Sequence, residues 1–249
     1  SIRLASQVYV NGKTIGTSGT FPPKEFSSGT AVNGYVIPYG LLNQTDKNTV
    51  VLKIWTNSVG SISSRVFVTN AQDVIISAEW ENFFVSKLNL SFSAAMVLIA
   101  LFYLFMYLTR KQSKEHLMFA LVNFFSAFYL LPFYISELPW LNANVFSYLW
   151  FSKIFSGIFA HITVYFATSF MREFLHQKES KLVLYIRLMI LVIPCGMIML
   201  AKNYGEYTVL LPVSFIFVAI QIGFGIYTVL KSLLNKDKDV YVILIGFSP

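Results

Sequence analysis

Only one of the three histidines, His161, lies deep in an apolar stretch, and it is the first residue to weigh for chemistry. An ionisable group at membrane depth costs a few kcal/mol on insertion scales, roughly 2.5–3.5 for a full charge at a helix centre, so it is a functional candidate by default. The plainer reading is favoured: a neutral imidazole bonded to a neighbouring helix. Asn123 and Gln221 are amides at similar depth in two other apolar stretches, and such groups usually bond across helices. With His161 they are candidates for a polar cluster that packs or switches a bundle. Lys153, about two turns before His161, is expected to reach for lipid headgroups along its aliphatic stem. Near the front of the chain, Trp55, Tyr35 and Phe26 are weak candidates for stacking on a sugar ring. Aromatics in a β structure are more often core. Asp73 and Glu79 read as solvated. The sequence offers no Ser-His-Asp arrangement, metal-ligand spacing, phosphate loop or convincing pair of carboxylates. No cofactor, metal or enzyme activity is therefore expected within these residues, although an output enzyme further along the chain is compatible with them.

The elements that must position these residues are apolar. Charged residues make up 12% of the chain, against about 25% in soluble domains. Hydrophobic residues make up 55% and aromatics 17%. A hydrocarbon core about 30 Å thick needs roughly 20 helical residues. Leu88 to Leu108, Leu117 to Ile135, Val145 to Met171, Val183 to Ala201 and Tyr207 to Leu230 meet that need, and a sixth stretch begins near Val240. The fold class expected is a membrane protein: an N-terminal all-β domain over 1–80, a partial jelly roll or sandwich, then a helical transmembrane bundle over 81–249 with five full spans and a truncated sixth. Pro194 and Pro212 are expected to kink spans four and five. Gly223 and Gly225 are expected to allow close helix contact. Trp140 and Tyr148 fit an aromatic belt.

Charge sets the expected orientation. The net charge of +7 invites a nucleic-acid reading. The basic residues do not gather on one soluble face, however. Ten lie in or beside the gaps after spans one, three and five, counting Arg187 just inside span four, and one, Lys202, lies in the other two gaps. Lys/Arg-rich loops are cytoplasmic, so the β domain is expected outside. Cys195 is the only cysteine, so no intrachain disulfide forms, which suits a bacterial envelope better than a eukaryotic surface; the location expected for the chain is the inner (plasma) membrane. Both ends of the chain read as cut from a longer protein, with β strands expected before Ser1 and a further span after Pro249.

The front region reads as short strands. Gln7 to Val10, the turn Asn11-Gly12 and Lys13 to Ile15 form a hairpin signal, because Asn-Gly accepts the positive φ angles of a type I′ turn. Tyr35 to Ile37, Thr49 to Trp55 and Arg65 to Val68 read as further strands.

This order of parts resembles the bacterial seven-transmembrane receptors with diverse intracellular signalling modules. The segment Val8 to Gly19 is similar to that family's strand–Asn-Gly-Lys–strand–Gly segment, and Lys47 to Ile54 to its late strand opened by an Asn. Tyr129, Pro132 and the loop Arg110-Lys111-Gln112-Ser113 share its character. The resemblance implies a galactose-binding-like jelly roll outside and a receptor that senses an extracytoplasmic small molecule or carbohydrate. The signal would pass through the bundle to a cytoplasmic output domain. The expected partners are that ligand and the lipid bilayer, with a homodimer as an option and no nucleic acid. A transporter and a membrane-anchored binding or assembly module are the alternatives. A transporter would need polar groups converging at the midplane and broken helices with an internal repeat.

Overall fold

The computed structural model describes residues 5–27, 31–56, 68–110, 113–138, 140–141 and 144–246. By packing, the chain divides into two units, one of residues 1–91 with 130–152 and one of residues 92–129 with 153–249.

The first unit begins with a three-stranded antiparallel sheet of order β2-β1-β3, built from β1 (Ala5–Val10), β2 (Lys13–Ser18) and β3 (Val50–Trp55). The expected hairpin is present. Asn11 and Gly12 hold φ of 49° and 79°, which a residue with a bulky side chain resists. The Asn11 side chain does further work. Its Nδ2 donates to Leu41 O and to Asn48 Oδ1, both at 2.8 Å, and its Oδ1 accepts from Thr49 N at 2.9 Å. The turn residue thus anchors the loop that leads into β3. The expected strand Thr49 to Trp55 is β3, in register with β1 from Val10↔Val50 to Ala5↔Trp55.

Two expectations need correction. Tyr35 to Ile37 belongs to no strand; Tyr35 instead packs its ring over Gly16 of β2, and Val36 is exposed. The β character expected to about residue 80 gives way to α1 (Ala71–Asn82). Asn70 caps it by accepting from Gln72 N at 3.2 Å, and Asp73 stands in its first turn, where the helix dipole favours a negative charge. Of the expected strand Arg65 to Val68, residues 65–67 lie outside the described residues, and Val68 is not in a strand.

A π-helical turn, Phe83–Lys87, carries α1 without a break into α2 (Leu88–Thr109). The result is one 39-residue helix, about 58 Å long at ~1.5 Å per residue. The rest of the first unit is two short 3₁₀ turns at Leu131–Phe133 and Ile135–Glu137 and one turn of α4 (Tyr148–Phe151).

The second unit is helical. It holds most of α2, then α3 (Lys114–Tyr129), a π-helical stretch Ser152–Ile158 leading into α5 (Phe159–Phe174), α6 (Lys181–Leu200), α7 (Tyr204–Leu234) and α8 (Asp239–Gly246). Five helical stretches are long and apolar enough to cross a membrane: Ala71–Thr109, Lys114–Phe133, Tyr148–Phe174, Lys181–Leu200 and Tyr204–Leu234. They match the five full spans expected, and α8 marks the sixth. Their outward faces carry exposed Leu98, Phe105, Val192, Val209, Ile216 and Ile226. In a bilayer such faces meet lipid, and the faces between helices are packed by aromatic rings as well as by small and polar residues. Aromatic rings fill the α3–α5 seam, with Phe119 against Phe170 at 5.0 Å and Phe125 against Phe159 at 5.4 Å. Gly225 seats α7 against α5, since a Cβ there would lie 3.1 Å from Thr168 Cγ2. Gly223, expected to do the same, has nothing within 4 Å of such an atom.

Candidate functional site: a buried ionic network joining three spans

Arg187 lies in the second turn of α6 and is 1% exposed. A buried guanidinium is tolerated only if its donors are met. Its Nη1 reaches both oxygens of Glu179, at 3.2 and 3.4 Å. Its Nη2 donates to Tyr165 O at 3.2 Å and to Thr168 Oγ1 and Ser169 Oγ, both at 2.8 Å. The guanidinium also lies 5.0 Å from the centre of the Tyr165 ring, a cation–π distance. Gln221 of α7 closes the shell. Facing two N–H groups, its amide presents oxygen, which accepts from Arg187 Nε at 3.1 Å and Nη2 at 3.3 Å. Thr168 Oγ1, 2.9 Å from that oxygen, gives its single proton either to Gln221 or to the Tyr165 carbonyl.

Glu179, in the loop between α5 and α6, also pairs with Arg172 at the end of α5. One carboxylate therefore bridges two guanidiniums. The local sequence builds this arrangement. Arg172 occupies the last turn of α5, His176 takes a left-handed φ of 49° that ends it, and Ser180 caps α6 by accepting from Val183 N. In the same loop Gln177 Nε2 donates to Thr228 O at 2.9 Å and Ser232 Oγ at 2.7 Å, both on α7. The α5–α6 loop is thereby held to three helices.

The structure places the other expected residues separately. His161 is buried between α5 and α7, Nδ1 3.0 Å from Gly157 O and Nε2 3.1 Å from Ser214 O, with its ring stacked on Phe215. Both nitrogens face carbonyl oxygens, so a neutral ring donates to one and a protonated ring to both. Asn123 stays on its own helix and donates to Phe119 O at 2.9 Å. His161 and Gln221 share the α5–α7 seam about two helical turns apart along each helix, and Asn123 is not among their bonded partners. Lys153 corrects an expectation: it does not reach for headgroups. It is buried, and its Nζ donates to Met199 O at 3.0 Å and to Ala201 O, the open carbonyls at the end of α6.

In the first unit, Phe26 is buried with its ring edge-on to Tyr148 and Phe151. Tyr35 is half-buried over Gly16, and Trp55 is half-buried opposite Ala5 at the end of β3. The three aromatics occupy three different settings.

Sequence reasoning missed the network because Arg187 was counted only for orientation. The signal was there: an arginine two turns into an apolar span must find a carboxylate and hydroxyls, and Glu179 and Thr168-Ser169 supply them. At the same end of the unit, Tyr103, His116, Phe119, Phe174, His176 and Asp239 line a cleft of ≈ 350 Å³. Among the described residues no group of three His, Cys, Asp or Glu side chains is placed to hold a metal ion.

A network of this kind positions helices and holds charge; it contains no nucleophile activated by a base. Five helices long and apolar enough to cross a bilayer define a multi-pass membrane protein. The chain belongs to the 7TM diverse intracellular signalling family, whose sequence model matches residues 87–249. Comparison with curated proteins and with solved structures gives no match.

Proposed function

We propose that the N-terminal domain of this receptor binds a small solute, a carbohydrate in the first instance, outside the inner membrane of a bacterium. The bundle relays that event to a cytoplasmic output domain. The observation that carries the reading is the Glu179 bridge between Arg172 and Arg187, set in a chain of a signalling family. Breaking one buried partner is costly, so the arrangement has few intermediate positions, and a bundle with few intermediate positions is suited to switching. Ligand can shift such a bundle only by its differential affinity for the two arrangements. His161 and Gln221 join the same switch, because each ties α5 to α7. Asn123 acts in packing within α3.

The basic loops support an orientation with the sheet outside and the Arg172–Arg187 network on the cytoplasmic side. The resemblance to receptors whose outer domain is galactose-binding-like makes a carbohydrate the first ligand class to test.

The test is thermal unfolding of the whole chain in nanodiscs against a panel of mono- and oligosaccharides. A saturable rise in Tm with one sugar class is expected, and Glu179→Gln should weaken the coupled change in intrinsic Trp fluorescence. No sugar raising Tm, together with sugar flux through proteoliposomes, would overturn the receptor reading in favour of a transporter.

A further inference from the structure

The segment 31–35 of the first unit has two faces, and each grips a different element. On one face, Asn33 Nδ2 donates to Ser18 Oγ at 3.0 Å, and the Tyr35 ring lies flat over Gly16, leaving no room for a side chain there. Both contacts are on β2. On the other face, Val32 N donates to Asn82 Oδ1 at 2.8 Å and Val32 O accepts from Asn82 Nδ2 at 2.9 Å. Gly34 lies so close to α1 that a Cβ there would stand 2.6 Å from Val74 Cγ1 and 3.7 Å from Ala78 Cβ. Asn33, Gly34 and Tyr35 thus alternate as successive side chains of an extended chain do, while Val32 meets Asn82 through its backbone. The segment joins a sheet edge to a helix.

Asn82 is the residue this junction turns on. Its amide meets both backbone groups of Val32 at once, as a neighbouring strand would. Only a side chain with one donor and one acceptor in a plane does this. It is also the last residue of α1, immediately before the π-helical turn Phe83–Lys87 that leads into the first span.

We propose that Asn82, with Gly34 seated beside it, is the coupling residue that fixes the sheet to α1, so that any displacement of the sheet is delivered to the first span through the helix. This rests on the receptor reading for its purpose, though not for its test. Asn82 is a positioning residue; it touches no ligand in this scheme.

The test uses the full chain in nanodiscs with Cys195→Ser. Spin labels on Thr17→Cys of β2 and Gln72→Cys of α1, both exposed, report the sheet-to-helix distance. In a separate variant, the alkylation rate of Thr109→Cys reports the far end of the first span. Asn82→Ala should broaden the distance distribution and change the alkylation rate several-fold. Asn82→Asp, which keeps the acceptor and loses the donor, should do so partly. A disulfide between Gly34→Cys and Ala78→Cys, with Val74→Ala to make room, should restore both readouts in the Asn82→Ala chain. Their Cβ spacing of 3.7 Å is within the range a disulfide spans, about 3.5–4.5 Å. Reduction should release them again. An unchanged distance distribution in Asn82→Ala overturns the clamp. A loosened sheet with unchanged Thr109→Cys alkylation overturns the transmission. Neither measurement needs a ligand, so either failure is distinct from failure of the sugar panel.

Discussion

Lys153 and Met199 join two spans: the ammonium of Lys153, buried at the start of the third span, donates at 3.0 Å to the carbonyl of Met199 in the last turn of α6. Helix C-termini leave carbonyls without internal partners, and a cation there meets both the hydrogen-bonding need and the dipole. Lys153→Met removes the donor and leaves the Met199 and Ala201 carbonyls short of a partner. The expected loss is about 1–3 kcal/mol, read as lower stability in a denaturant titration of the detergent-solubilised chain. Lys153→Arg should retain most of it. Equal stability for Lys153→Met would show that lipid or water already serves those carbonyls.

The Glu179 bridge predicts a specific non-additivity. Arg187→Met alone leaves Glu179 with Arg172, while Glu179→Gln alone leaves two guanidiniums facing each other. Removing one partner of a buried pair typically costs about 3–5 kcal/mol. The double variant should therefore cost clearly less than the two singles added. A double-mutant cycle on unfolding free energy checks this, and strict additivity would mean that the two side chains act independently.

Gly225 and Gly223 form a matched pair of tests. Gly225→Ala sets a methyl 3.1 Å from Thr168 Cγ2. Thr168 is held by Arg187 and is in bonding reach of Gln221, so it has little freedom to move aside. A loss of about 1 kcal/mol or more is expected. Gly223→Ala meets nothing within 4 Å and should be neutral, or stabilising by up to about 1 kcal/mol through helix propensity. The order of the two melting temperatures decides it.

Tyr35 supplies a pH-dependent prediction. Burial raises its phenol above the ordinary value of 10.0. The folded chain then holds this proton more tightly than the unfolded chain. The contribution to stability is full below pH 10 and is lost as pH rises beyond it. The Tyr35 hydroxyl is also buried without a hydrogen-bond partner among the described residues. Tyr35→Phe should therefore be neutral or stabilising at pH 7 and should lessen the loss of stability above pH 10. A destabilised Tyr35→Phe at neutral pH would reveal a partner for that hydroxyl.

Orientation is testable by labelling. With Cys195→Ser as background, a membrane-impermeant thiol reagent on intact spheroplasts should modify Asp46→Cys and spare Ser113→Cys. The reverse pattern would invert the assignment made from the basic loops.

The features legible in the sequence are those with a local cause. Asn11-Gly12 fixes its own turn, and the apolar spans declare themselves by length. The β-branched run Val50 to Ile54 becomes β3 as its composition suggests. What stayed hidden depends on partners distant in sequence. Tyr35 to Ile37 has strand composition, yet Tyr35 spends its ring on Gly16 and the three residues join no ladder. Residues 71–82 are helical because a cap at Asn70 and a continuous helix behind them outweigh the strand-rich context. Lys153 reads as a headgroup seeker until the end of α6 is seen beside it. Arg187 reads as a topology signal until Glu179 and Thr168 are seen around it.

The π-helical turn at Phe83–Lys87 has a consequence for phase. Such a turn amounts to one extra residue in an otherwise α-helical run. One residue corresponds to about 100° of rotation and 1.5 Å of rise. The wider turn takes up most of that rotation, so deleting a single residue there would leave a smooth, unbroken α-helix with Asn82 near its present azimuth relative to Leu88, whereas an extra residue in a regular α-helix would swing it by about 100°. The junction thus keeps its angle by giving up regularity, a property that residue-by-residue substitution would not expose and a one-residue deletion would.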